Sequence, residues 1–300
     1  MKLPVYLDNN ATTKMDPAVL DAMMPYFLEH YGNAASRSHV LGLSAKDAVD
    51  LARSRVAQLI GAEPEEIIFT SGATESDNLA IKGVFETYKL KGNHVITVAT
   101  EHKAVLDTCS HIEKFGGIVT ILGVDKNGLI DLKELENSIN DSTILISIMF
   151  GNNETGTVQN IKEIAKIAKE RKVLFFTDAT QAVGKIDVNV NDYNINLMAF
   201  SSHKIYGPKG VGALYVRRKD PRVKIIAQID GGGHERNVRS GTLNVPGIVG
   251  FGKACEICLN SLKINNLRIS FLRDKLESAI LSIDETYLNS STKSRLPNVT

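Results

Sequence analysis

An α/β fold built on a largely parallel sheet, with helices on both faces, is predicted for these 300 residues by three observations. Short runs rich in Val, Ile and Phe alternate with stretches of helical period through most of the length. Two of the runs, TILISIMF (143–150) and VLFFTDA (173–179), are continuously apolar, as strands covered on both faces must be. Clusters of small and polar residues recur where runs end, and open α/β sheets collect ligands at such ends.

Taken in chain order, EEIIFT (65–70) reads as a strand, and the following segment places Ile81, Val84, Phe85 and Tyr88 on one helical face. HVITVA (94–99) is the next strand, then a helix near 103–115 and a strand in GIVTILG. After TILISIMF, a helix carries Ile161, Ile164, Ala165 and Ala168 at helical spacing, and VLFFTDA follows. NLMAFSS (196–202) and VGALYV (211–216) are strand-like and bracket SSHKIYGPKG. GIVGFGKA (247–254) fits the start of a phosphate-binding P-loop, but Ala254 replaces the Ser or Thr that would hold magnesium, and no buried strand precedes it. A glycine-bearing helix packed against a neighbour, starting near Pro246, is expected instead. From about residue 260 the rhythm changes to one long amphipathic helix marked by Ile269, Leu272, Leu276, Ala279 and Ile280. The last residues, LPNVT, look like the start of a strand.

The bulk properties exclude several classes. A net charge of +1 provides no field to hold nucleic acid or an acidic membrane. No apolar stretch is long enough to span a bilayer, and the N-terminus lacks a signal-peptide core. Three cysteines, Cys109, Cys255 and Cys258, are an odd set that suits reduced thiols and a cytoplasmic location. The Cys255–Cys258 spacing lacks the second pair a metal site needs, so all three are expected to pack.

Four polar clusters follow strands. TSGATESDN (70–78) leads into a helix start that could face an anion, or could simply be N-capped. FGNNETG (150–156) could contact a ligand or form an Asn-rich turn. TDATQ (177–181) sets Asp178 at the end of an apolar strand, where an unpaired carboxylate is expensive. SSHK (201–204) sets Lys204 at another strand end. GGGHERNVRSGT (231–242) gathers His234, Arg236 and Arg239 with no acidic run to balance them, an anion-binding loop or a solvated one. Acidic strand end, strand-end lysine and anion-binding helix start together suggest pyridoxal 5'-phosphate. That cofactor takes a lysine amine (Lys204) as an aldimine, a carboxylate (Asp178) at its ring nitrogen and an anion hole for its phosphate.

Together with YLDNNATT, TEHKAVL, NNETGTVQ and DATQAVGK, these motifs closely resemble the cysteine desulfurases, class V, fold-type I pyridoxal-phosphate enzymes that supply sulfur for iron–sulfur cluster assembly. The resemblance covers essentially the whole chain. It implies a large cofactor-binding domain and a small α+β domain present only in part. The N-terminal arm (1–14) would associate with the small domain, the large domain would span 15–258, and the small one would begin at 259–300. It implies conversion of L-cysteine to L-alanine, with sulfur left as a persulfide on an enzyme cysteine.

By the same resemblance His102 stacks on the cofactor ring and helps in proton transfer. Gln181 faces the phenolic oxygen, and Asn153 lies beside ring and substrate. Ala73, Thr74, Ser201 and His203 hold the phosphate. Thr242 reaches the phosphate in a neighbouring subunit, which implies a homodimer; an iron–sulfur scaffold or another acceptor protein takes the sulfur. Asp77 and Ser202 depart slightly from the common pattern. The family's sulfur-accepting cysteine and its substrate-binding arginine are expected beyond Thr300, so full turnover is not expected of this chain alone. A fragment of a full desulfurase and a natural short, non-catalytic form both fit, and a selenocysteine lyase or another class V enzyme is the nearest alternative activity.

Overall fold

A computed structural model of the chain describes residues 3–300; the first two residues of the expected 1–14 arm lie outside them. Seven strands form one sheet: β1 (Ile67–Thr70), β2 (His94–Val98), β3 (Ile118–Leu122), β4 (Thr143–Ser147), β5 (Leu174–Asp178), β6 (Leu197–Ser201) and β7 (Gly212–Val216). Their order is β1-β7-β6-β5-β4-β2-β3. The pairs from β3 through β6 are parallel, and β7 runs antiparallel to both β6 and β1. The seven strands predicted between residues 65 and 216 are all present. Every residue of β2, β4, β6 and β7 is buried, which is why their sequences are apolar without alternation.

Helices cover both faces. α4 (Ala73–Tyr88) and α5 (Lys103–Glu113) pack Leu79, Val84, Phe85, Val105 and Ile112 against Val95, Leu145, Phe176 and Leu197. The opposite face, with Ile96, Ile146, Phe175 and Phe200, is covered by α3 (Val40–Ile60), α7 (Ile161–Glu170) and the first half of α9 (Val245–Ile280). Two short helices, α1 (Pro17–Met23) and α2 (Pro25–Leu28), precede these, and α6 (Leu132–Ser138) precedes β4. No helix among the described residues is long and apolar enough to cross a membrane.

The P-loop-like segment lies inside α9 as a packing device. A Cβ on Gly252 would sit 2.6 Å from Ala52 Cα, so this glycine lets α3 and α9 touch backbone to side chain. The change of rhythm near 260 falls inside a helix: no Gly or Pro follows Gly252 before Ile280, and α9 runs through as one 36-residue helix. Its second half leaves Ile264, Leu267 and Phe271 exposed. One expectation is corrected: LPNVT forms no strand. The chain makes a single antiparallel bridge at Arg295 with Thr157, and Pro297, without an N–H, cannot extend the ladder.

Candidate active site

A cleft of about 1540 Å³ opens at the carboxyl ends of the parallel strands. Its walls include Ser71–Glu75, His102, Asn153, Asp178, Gln181, Lys185, Ser201, His203 and Lys204, with Leu7–Thr13 crossing its mouth. Nine of the ten expected site residues are therefore brought to one cavity. The tenth, Thr242, is exposed and lies outside it.

Asp178 ends β5, where the strand delivers a carboxylate into a buried position, 7% exposed. Thr180 N–H donates to its Oδ1 at 2.9 Å. Burial pushes this carboxyl up, opposed by that hydrogen bond and by the charges of His102 and Lys204. Lys204 ends the short 3₁₀ turn after β6 (Ser202–Lys204). Its amine is half-buried and donates to the carbonyls of Asn10 (2.5 Å) and Ala11 (2.7 Å). Burial lowers its pKa, while Asp178 and Asp8 oppose the shift. A lysine without a direct carboxylate partner is the state a nucleophilic amine needs.

The opposite wall is the start of α4. Gly72 occupies the N-cap with no side-chain cap, so the first N–H groups of a 16-residue helix open onto the cleft. The approach depends on Gly212 of β7, where a Cβ would lie 2.7 Å from Gly72 Cα and 2.8 Å from Phe200 O. Ser201 and His203 come to the same end of the cleft. His203 is pushed down to about 4 by burial and then by Lys204, Lys209 and Lys185, and its Nδ1 contacts Thr12 Oγ1 at 3.0 Å. On the other side His102 caps α5, its Nδ1 accepting from Ala104 N–H at 3.1 Å. With that nitrogen occupied as an acceptor, the neutral ring carries its proton on Nε2. An uncapped helix start, a half-buried amine and a buried carboxylate form a set that fits pyridoxal phosphate.

Some functional residues went unassigned in the sequence. Asn10 is a hub. Its carbonyl accepts from Lys204 and from Gln181 Nε2, its Nδ2 donates to Asn153 O, and its Oδ1 accepts from Asn298 Nδ2. Lys185 donates to Gln181 Oε1 at 2.5 Å. Behind Asp178, Asp77 and Glu101 are fully buried carboxyls, both pushed well up by burial and then by the charge of Asp178. Neither oxygen of Asp77 has a partner. The motifs YLDNNATT, TEHKAVL and DATQAVGK contain Asn10, Glu101 and Lys185 without assigning them a role, and Asp77 stood out by its departure from the common pattern.

The arginines of the 231–242 loop already have partners within the chain. Arg239 pairs with Glu75 at 2.7 Å, and Arg236 donates to the carbonyls of Glu65 and Ile67. Glu235 of the short α8 (His234–Asn237) accepts both guanidinium nitrogens of Arg53. The cations are balanced by acids distant in sequence, which no local charge count reveals.

All three thiols are buried. Burial pushes Cys109 up to about 12 and Cys258, which borders the cleft, up to about 11, and it also raises Cys255 well above the ordinary thiol value. They are packing residues, as expected.

The family described as aminotransferase class-V matches residues 5–300. The cysteine desulfurase IscS of Klebsiella pneumoniae (strain 342) is 52% identical, over 100% of this chain and 74% of that protein. The cysteine desulfurase IscS of Pectobacterium carotovorum subsp. carotovorum (strain PC1) is 53% identical with the same coverage. Among solved structures, a NifS-like protein superposes with a TM-score of 0.94 and 40% identity, covering 98% of this chain and 80% of that one. SspA in complex with cysteine superposes with a TM-score of 0.81 and 42% identity, over 84% of this chain and 72% of that one.

Proposed function

Because the chain belongs to the class V aminotransferase family, among the cysteine desulfurases, we propose that its cleft uses pyridoxal 5'-phosphate to take sulfur from L-cysteine, leaving L-alanine and passing the sulfur toward iron–sulfur cluster assembly. The observation that carries this reading is the convergence of Lys204 and Asp178 on a cleft whose facing wall is the uncapped start of α4. The bound cofactor supplies an electron sink that makes the substrate's α-proton acidic.

The rest is done by side chains. Lys204 would hold the cofactor covalently, and the burial that lowers its pKa eases loss of the proton a base must shed. Asp178 keeps the ring nitrogen protonated, since a buried carboxylate beside a protonated ring is compensated, whereas alone it is not. The N–H groups of Ala73 and Thr74, with the hydroxyls of Thr74 and Ser201 and the neutral ring of His203, receive the phosphate. His102 would lie against the ring and would exchange a proton through Nε2. Gln181 meets the phenolic oxygen, and Asn153 lies beside ring and substrate.

Thr242, exposed and outside its own cleft, serves the phosphate of a second subunit, so the working form is a homodimer. An iron–sulfur scaffold or a similar protein takes the sulfur. The sulfur-accepting thiol is none of Cys109, Cys255 and Cys258, which are buried with raised pKa values and so hold almost no thiolate. Three unpaired thiols fit a reducing, cytoplasmic setting. The large domain would extend to about residue 258.

The test is an absorption spectrum of the chain after incubation with pyridoxal phosphate, beside Lys204→Ala. A visible band that borohydride bleaches, and that Lys204→Ala lacks, is the expected result. A folded protein without the band, or the same band in Lys204→Ala, would overturn the reading.

A further inference from the structure

Gln181 and Lys185 lie four residues apart in the turn that follows β5, within DATQAVGK. The turn is pressed against the cleft wall. Gly184 sits at φ +74°, and a Cβ there would lie 2.6 Å from Ile205 Cγ2 and 3.0 Å from Cys258 Sγ. Two contacts fix the Gln181 amide. Lys185 Nζ lies 2.5 Å from Oε1, and Nε2 lies 3.0 Å from the carbonyl oxygen of Asn10. An ammonium or amine with a free N–H donates to its neighbour, and a backbone carbonyl only accepts. The atom facing Lys185 must therefore be the amide oxygen, and the atom facing Asn10 must be the nitrogen. Both constraints choose the same orientation, and one Nε2 hydrogen is left for the cleft that Gln181 lines.

We infer that Lys185 is a positioning residue that locks the Gln181 amide with its N–H, rather than its carbonyl, toward the cofactor's phenolic oxygen. The inference rests on the proposed reading of the cleft as a pyridoxal-phosphate site. It gives Lys185 a task beyond surface charge: Gln181 Oε1 is its hydrogen-bond partner among the described residues. Burial, and then the charge of Lys204, pushes its pKa down to about 7. A lysine can donate in either protonation state, so the lock survives its titration. The titratable and charged groups at this corner are Lys204, Asp178, His203, Asp8 and Lys209. Without Lys185, Gln181, itself 4% exposed, would have a buried oxygen without a partner, and the Asn10 carbonyl alone would oppose its turning over. A carbonyl turned toward a phenolate repels it.

The experiment is a pH titration of the visible band of the cofactor-loaded chain. Wild type, Lys185→Met, Gln181→Leu and the double variant are compared. A hydrogen bond to a charged oxygen corresponds to about one to two pH units. Lys185→Met is expected to raise the midpoint for loss of the phenolic proton by that amount. In the Gln181→Leu background the same substitution is expected to move it by only a few tenths, because the lysine acts through the glutamine. Equal shifts in both backgrounds, or no shift in either, would overturn the inference.

Lys185→Arg keeps a donor and is expected to hold the wild-type midpoint. A full shift in Lys185→Arg would also overturn the inference, and this arm decides the matter if Lys185→Met does not fold. Failure of the underlying site reading looks different: wild type itself would show no band that borohydride bleaches.

Discussion

Replacing Glu235 by Gln should lower the stability of this protein by about 3 kcal/mol, because the carboxylate anchors a turn that would not otherwise hold. Glu235 accepts from Arg53 Nη1 at 2.7 Å and Nη2 at 2.6 Å, and from Phe69 N–H at 2.8 Å. The side chains of Arg53 and Glu235 are 8% and 2% exposed, so water does little to screen the pair. The surrounding turn is left-handed: Gly233, Glu235, Arg236 and Asn237 have φ of +71°, +45°, +60° and +63°. Left-handed helical conformation costs about 1–2 kcal/mol for each of the three residues that bear a Cβ. The anchor must offset that strain.

In Glu235→Gln one amide arm faces donors with donors of its own, while the Arg53 guanidinium stays buried over the Phe69 ring, 4.6 Å from its centre. Breaking a buried pair on one side costs about 3–5 kcal/mol, and relaxation of the strained turn returns part of it. The assay is urea unfolding followed by circular dichroism, read as a lower midpoint at unchanged slope. Arg53→Met and the double variant complete a cycle, whose coupling energy should be about 1–3 kcal/mol. A loss below about 1 kcal/mol, as for an exposed pair, or strict additivity would refute the argument.

Three further outcomes are expected. Asp77 has a folded pKa raised well above its unfolded one, so its contribution is fully present below about pH 4 and is lost, at about 1.4 kcal/mol per pH unit, as pH rises toward the folded value. Asp77→Asn should therefore raise Tm relative to wild type at pH 7–8 and not below about pH 4; a gain independent of pH would contradict this. Gly212→Ala should cost about 1–3 kcal/mol through its 2.7 Å clash with Gly72, and weaken pyridoxal-phosphate binding at least tenfold in a fluorescence titration, because the clash moves the start of α4. An aromatic disulfide reagent at pH 7 should label none of Cys109, Cys255 and Cys258 in the native chain and all three after unfolding. Native labelling of any of them would show that burial does not control their reactivity.

Local chemistry made much of the site legible before any coordinates. Continuous apolar runs announce buried parallel strands, since a strand covered on both faces has no polar side to show. Asp178 was legible for a related reason: a carboxylate at the end of such a run requires a partner. Lys204 stood out because a polar Ser-Ser-His-Lys step between two strand-like runs has no packing purpose. The glycine-bearing segment 247–254 was rightly read as part of a packed helix, since Ala254 ruled out the magnesium ligand and no buried strand precedes it.

The amino-acid sequence by itself determined which segments are strands and helices, where each strand ends, and which side chains those ends deliver, because periodicity and local sterics act over a few residues. Only the tertiary structure decided the strand order, the antiparallel insertion of β7 between β1 and β6, and which residues those ends meet. Arg53 finds Glu235 from 182 positions away, and Lys204 finds Asn10 from 194. The GGGHERN turn, readable from its local charges as an anion-binding loop or a solvated one, becomes an ion-paired anchor once the sheet brings α3 beneath it. Charge and hydrogen-bond partners are chosen by spatial proximity, and proximity is set by the burial of the whole core.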